Sequence, residues 1–418
     1  ITSELIENST RLGEYKRVSG GLQEKAAIQE GGMASREVTV DFARTGLKTR
    51  AASMISAFLN AAVQGEDRVF RAFAEKPLGT TVKMMTAITM PSIMLYLAQR
   101  DDPRWKEIPQ WQKDMSWIIL TEDHIFRIPK PHSAGIIFGS LPERMLEAFE
   151  RDNPQAMKDL EKSFISSFFP NLIPTFAAPV VEQFANRSMF TGSPLVPAAA
   201  EKLLPEYQYT EYTTEAAKAL GQLIGAFPGM RDRAVRDEDT FIGGVARALT
   251  TPALIENYIR SWTGGLGTYT LQIADKALRE AGVLPDPVKP LATLSDLPVV
   301  KAFVVRYPSA SAQSIQDFYD TYYAKKQVFD TMMAKAKEGD IEAFDRVQNI
   351  DPTAWDEMAG IRDAITDQAA LVRLIYKNPD FSPEDKRQLI DSTYFRMIEL
   401  ATFGNQAMAD LEKILRPQ

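Results

Sequence analysis

Apolar positions along this chain recur mostly at three- and four-residue steps, the pattern of helices that bury one face. From Leu47 to Phe73 the series is Leu47, Ala51, Met54, Ile55, Phe58, Ala62, Phe70 and Phe73. From Ser314 the stripe Ile315, Phe318, Tyr319, Tyr322, Tyr323 and Phe329 leads to a stop signal at Gly339. Asp351 before Pro352 predicts a capped helix start with proline at its first position. Ser382, with Asp385 three residues on, predicts another start close to a capping box, running to Leu415. Residues 306–418 are therefore expected as an antiparallel three-helix bundle, following a helical region over 1–305. Strand signals are poor. The best is "VVKAFVV" at 299–305, flanked by Pro298 and Pro308. Between Pro154 and Pro205, prolines at 170, 174, 179, 194 and 197 each interrupt or start a helix. The predicted fold class is all-α: an elongated multi-helix assembly with proline-rich connectors and little or no sheet.

Composition narrows the function. With 45% apolar residues in 418, the chain can bury a sizeable core. Lys and Arg total 48 against 55 Asp and Glu, a net charge of -7, and no large basic block stands out. That argues against gripping nucleic-acid phosphates as the main task. Most of the net negative charge lies from Asp330 onward, so this end is expected to face solvent. Cysteine is missing, which excludes disulfides, thiolate–zinc sites and thiol nucleophiles. No charged segment followed by an apolar one opens the chain. The first residue is Ile1, read as the start of a processed chain or of an interior piece.

Two apolar stretches could meet a membrane. Met84 to Ala98 has fifteen residues without a charge, broken by Pro91, and Phe164 to Val181 has eighteen with three prolines. A spanning helix needs about 20 apolar residues, so burial in a protein core is the expectation for both. The richest stretch is "DHIFRIPKPHSAGIIFGSLPERMLEAFE", 123–150, which holds both histidines. His124 and His132 lie eight apart across two prolines, so they do not share a helical face as a metal pair would. Pro129 and Pro131 hold the chain extended, and Gly135 and Gly139 let the backbone pass close to neighbours. Phe138 is expected to be buried, and Pro142 to open a helix at its first turn. The whole is read as a structural elbow. "TGGLG" at 263–267 follows no strand and carries no lysine. Its glycines Gly264, Gly265 and Gly267 are read as a break between two helices, not a phosphate cradle. No nucleophile elbow and no selective carboxylate pair is present. The expectation is a chain with no catalytic, metal or cofactor site.

Several stretches together resemble one family. They are "REVTVDFARTG" (36–46), "PRWKEIPQWQKDMSW" (103–117), "FRIPKPHSAGIIFGSLPERMLE" (126–147), "NRSMFTGSPLVP" (186–197) and "TPALIENYIRSWTGGLG" (251–267). They look like a region of very large polyvalent proteins of bacteriophages and mobile elements, and resemble parts of the internal virion, or ejection, proteins of short-tailed phages. The resemblance runs from about Thr2 to Gly282, and 1–305 is taken as that region. It implies a non-enzymatic helical module packaged in the capsid and released with the genome to help form a conduit through the host envelope. The implied partners are other copies of the chain and other phage ejection, portal or tail proteins. Membrane contact is possible, and genome DNA is touched at most indirectly. On this reading the two apolar stretches pack against protein in the soluble form and reach lipid or neighbouring subunits after delivery. The competing reading is an accessory helical region of a polyvalent protein acting inside the host. An enzyme of unrecognised type is a third.

Overall fold

The computed structural model describes residues 2–21, 23–38, 59–151, 177–188, 194–201, 203–210, 213–237, 240–284, 286–297, 300–341 and 352–415. In chain order the main elements are α1 (Thr2–Ser19), α2 (Glu24–Glu37), α3 (Leu59–Glu75), α4 (Pro77–Gln99), α5 (Pro103–Glu107) and α6 (Gln110–Met115). Strands β1 (Ser116–Leu120) and β2 (Ile125–Pro129) lead into α7, a helical run over 132–151. Then come α8 (Ala178–Ala185), α9 (Glu215–Gly225), α10 (Met230–Arg236), α11 (Phe241–Thr250), α12 (Pro252–Glu280) and β3 (Val304–Val305). The chain ends with α13 (Gln313–Lys337), α14 (Pro352–Lys377) and α15 (Pro383–Leu415). The fold is all-α in class, with one small sheet among the described residues.

The chain divides into two compact units, each assembled from two stretches: Ile1–Pro91 with Pro131–Ala177, and Ser92–Lys130 with Ala178–Gln418. The sequence boundary at 305/306 does not coincide with this division. The reason is that the C-terminal helices are tied into the second unit. Gln313 accepts the Gln110 N–H at 2.7 Å, the Ser314 hydroxyl bonds Glu107 at 2.6 Å, and the Leu291 N–H reaches the Pro383 carbonyl at 2.8 Å.

In the first unit, α1 and α2 pair across a turn at Gly21, whose φ of 93° suits glycine. Phe73 of α3 stacks on Phe138 of α7 with ring centroids 5.7 Å apart. The predicted helix around 47–73 is seen from Leu59. Its earlier positions, 47–58, lie outside the described residues.

In the second unit, β1 and β2 form an antiparallel hairpin with Ser116 opposite Pro129 and Leu120 opposite Ile125. β3 adds antiparallel to β2, with Val305 opposite Ile125. Of the described residues of "VVKAFVV", Val304–Val305 are strand and 300–302 is a helical turn. The main core lies among α13, α14 and α15, where Phe318, Tyr322, Met358, Ile365, Ile390, Met397 and Ala401 are buried together. Two helix boundaries follow the sequence signals. Gly339, after α13, has φ 98°. The Asp385 N–H donates to the Ser382 hydroxyl at 3.1 Å, and that hydroxyl donates to Asp385 Oδ2 at 2.8 Å. Asp351 lies outside the described residues.

Three readings of the sequence need correction. Gly264, Gly265 and Gly267 do not break a helix: α12 runs through them from Pro252 to Glu280. A glycine inside a helix costs about 1 kcal/mol, which neighbouring turns and packing can outweigh. Pro142 does not open a helix either. It lies inside α7, just after a π turn at Ile136–Ser140, where the Leu141 N–H donates five residues back to Ile136. The proline ring crowds the preceding turn and removes a donor, and the wider turn relieves both. Phe138, in that π turn, is half-buried rather than enclosed.

Candidate functional site

Helix α4 inverts the usual arrangement of a surface helix. Ser92 is 0% exposed and Gln99 9%, while Leu78, Met90 and Met94 on the same helix are 83%, 55% and 63% exposed. The inward stripe is Ile88, Ser92, Tyr96 and Gln99, at four- and three-residue steps. The outward stripe is Leu78, Val82, Met85, Met90, Met94 and Leu97. Its single five-residue step, from Met85 to Met90, falls on a π turn at Met85–Thr89. That turn absorbs one extra residue, so the stripe stays on one side of the helix. The cause is again a proline. Met90 precedes Pro91, and its N–H donates to Met85, the same device as in α7.

Hydrogen bonds hold the polar stripe inward. Ser92 Oγ accepts the Trp117 indole N–H at 2.7 Å. The Gln99 amide donates to the carbonyls of Leu95 at 3.0 Å and Ile118 at 2.9 Å, and its oxygen accepts the Leu120 N–H. The Tyr96 ring meets Trp105 edge-on at 6.0 Å. Three threonine hydroxyls of the helix bond backbone carbonyls: Thr80 to Ala72 and Thr81 to Pro77, each at 2.8 Å, and Thr86 to Val82. Lys83 is the one charge between Lys76 and Arg100. Among the described residues α4 is the helix long and apolar enough to cross a membrane. The expectation that Met84–Ala98 packs against protein is therefore corrected: among the described residues the inward stripe is buried and the outward one is exposed. Of Phe164–Val181, residues 164–176 lie outside the described ones.

The elbow residues fall on both sides of the division between the units. Pro129 ends β2 opposite Ser116, in the second unit. Pro131, Gly135, Phe138, Gly139 and Pro142 belong to the first, where they make the entry and the π turn of α7. Sequence reasoning missed two buried charges beside them. Lys130 is buried, with Nζ 3.0 Å from the Lys113 carbonyl. Arg144 is fully buried and pairs with Glu147 one turn on. The signal was present in "IPKP" and "PER", but a lysine or arginine in a polar stretch reads as surface until its surroundings are known.

Other polar groups gather where α9, α12 and α14 meet. Lys218 Nζ lies 2.6 Å from Glu215 and 4.4 Å from the centre of the Tyr376 ring. The Tyr376 hydroxyl donates to Glu215 at 3.4 Å, and Asp275 accepts the Ala216 N–H at 2.7 Å. Burial pushes the Lys218 ammonium below its ordinary value, against the pull of Glu215, and pushes the Glu256 carboxyl up. Lys218 is paired with Glu215, and Asp275 with Arg279 at 2.9 Å, which is what a buried polar seam requires to be tolerated. A cavity of about 270 Å³ in the second unit is lined by Arg187, Arg306, Tyr319 and Asp320. Its guanidiniums already face carboxylates, Arg187 to Asp320 at 3.5 Å and Arg306 to Asp296. His124 packs its ring edge-on against Phe126 at 6.0 Å. No group of metal-ligating side chains occurs among the described residues.

Residues 102–300 match the family model described as large polyvalent protein associated domain 38. The match holds four of the five resembling stretches and leaves out Arg36 to Gly46, so the resemblance begins and ends later than the sequence reading placed it. No curated protein and no solved structure matches the chain.

Proposed function

We propose, from the large polyvalent protein associated region at residues 102–300, that this phage- or mobile-element-associated chain is an ejection protein. It is a structural component carried in the capsid interior and released with the genome to help form a conduit across the host envelope. Its role is non-enzymatic and needs no cofactor. Its partners are further copies of itself and other ejection, portal or tail proteins, and it touches genome DNA at most indirectly.

The observation that carries this reading is the outward apolar stripe of α4, joined to the family match. A chain that spends its life in water leaves few contiguous apolar faces open, and such faces mark surfaces used for contact. A protein that must leave the capsid and act at an envelope has use for one. The buried polar seam and the paired charges of the second unit suit a packing role. The experiment is mass spectrometry of purified virions. The expected result is the chain in stoichiometric copies with the capsid proteins. Its absence from virions, with presence in infected cells, would overturn the ejection reading and favour an accessory role inside the host.

A further inference from the structure

We infer that α4 lies in the plane of a lipid surface, with Leu78, Val82, Met85, Met90, Met94 and Leu97 immersed at the headgroup–acyl boundary. This deepens the reading above by naming the partner of one surface. It rests on that reading only for placing the protein at an envelope.

Four observations carry it. The outward stripe runs the length of a 23-residue helix, about 34 Å at 1.5 Å per residue, so the contact is a long band and not a spot. The π turn keeps the band straight where Pro91 would otherwise rotate it away. Thr81 and Thr86 bond carbonyls of the helix itself, so these hydroxyls bring no unsatisfied donor to an apolar medium. Lys83 is exposed and has a stem long enough to lift its ammonium into the headgroup layer.

The same geometry selects lying over spanning. A spanning helix would present its whole circumference to hydrocarbon or to other helices. Here Ser92 and Gln99 are bonded to Trp117, Ile118 and Leu120, and the strand that carries those partners would have to follow the helix into the membrane. Lying flat leaves every one of these bonds in place. A half-apolar helix held on its polar side and carrying a cationic residue fits the interfacial mode, in which the apolar face sinks by about 5–10 Å.

The test uses the full chain, which has no native cysteine, so single labels can be placed without background. Flotation is run with vesicles of phosphatidylcholine alone and with added phosphatidylglycerol. The expected result is association that strengthens with the anionic lipid. Met90→Glu with Met94→Glu should weaken it roughly a hundredfold, from two lost methionine contacts. Phe403→Glu, at an exposed site on α15, should leave it unchanged, and all three proteins should keep the same melting temperature. Environment-sensitive labels on Leu78→Cys, Met90→Cys and Leu97→Cys should report one shallow depth. No association with either vesicle overturns the inference, as does equal weakening by Phe403→Glu. Labels deep at residue 90 and shallow at 78 and 97 would mean a spanning helix and overturn the in-plane orientation. A dimer broken by the double variant, without vesicle binding, would assign the stripe to a second copy. None of these outcomes depends on finding the chain in virions, so the two proposals fail separately.

Discussion

Two glycines show how little residue identity says without its surroundings. Gly404 on α15 and Gly360 on α14 both sit inside long helices, where alanine is intrinsically better by about 1 kcal/mol. At Gly360 an added Cβ would meet nothing within 4 Å, so Gly360→Ala should raise stability by about 0.5–1 kcal/mol. At Gly404 the same carbon would collide with the ring of Phe318, which is fully buried and cannot step aside. Gly404→Ala should therefore cost about 1–3 kcal/mol despite its better propensity. Thermal unfolding of the pair checks the opposite signs. Tyr319 gives a pH test. Burial, the largest cause, pushes its hydroxyl up to about 12. An unfolded tyrosine ionises near 10, so below pH ~10 both states hold the proton and the contribution to stability is complete. As pH rises from ~10 to ~12 the unfolded chain loses its proton first and stability falls, on the order of 2 kcal/mol. Denaturant melts across that range should show a smaller fall for Tyr319→Phe.

At the scale of elements, the helices announce themselves and their irregularities do not. The stripe from Ile315 and the signals at Gly339 and Ser382 were readable because they depend on neighbours within one turn. Ser382→Ala removes a hydroxyl that caps α15 and should cost about 1 kcal/mol, read as a lower denaturant midpoint with unchanged slope. An unchanged midpoint would mean that the packing of α15 makes its cap redundant. The π turns of α4 and α7 were not readable. Met90-Pro91 and Leu141-Pro142 look like helix ends, because proline disfavours helix in the residue before it. What keeps each helix going is that both flanks are packed: Ile88 and Ser92 are buried around one proline, and Ile136 and Arg144 around the other. The strand at Ile125–Pro129 escaped because it is short and closed by proline, so little in its own five residues marks it: it pairs along its length with Ser116–Leu120 across the hairpin and at two positions with distant Val304–Val305.

At the scale of the whole molecule, the cut at 305/306 is the sharpest test. The second unit draws on both sides of it, through Gln313 on Gln110, Ser314 on Glu107 and Lys386 on the Val288 carbonyl at 2.8 Å. A fragment of residues 1–305 should bind an apolar-surface dye and melt without a sharp transition in the part formed by 92–130 and 178–305. If fragments 1–305 and 306–418 each melt as they do in the intact chain, the sequence boundary is the true one. Local composition and spacing along one turn were enough for the helical class, the helix stop at Gly339 and start at Ser382, the family resemblance and the apolar character of α4. Tertiary structure decided which face of α4 is covered, that Lys130 and Arg144 are buried, that the TGGLG glycines stay helical, and where the chain divides. Each of those depends on which distant segment fills the space beside a residue. Hydrogen bonds such as Trp117 to Ser92 can be satisfied only once the fold has brought the two together.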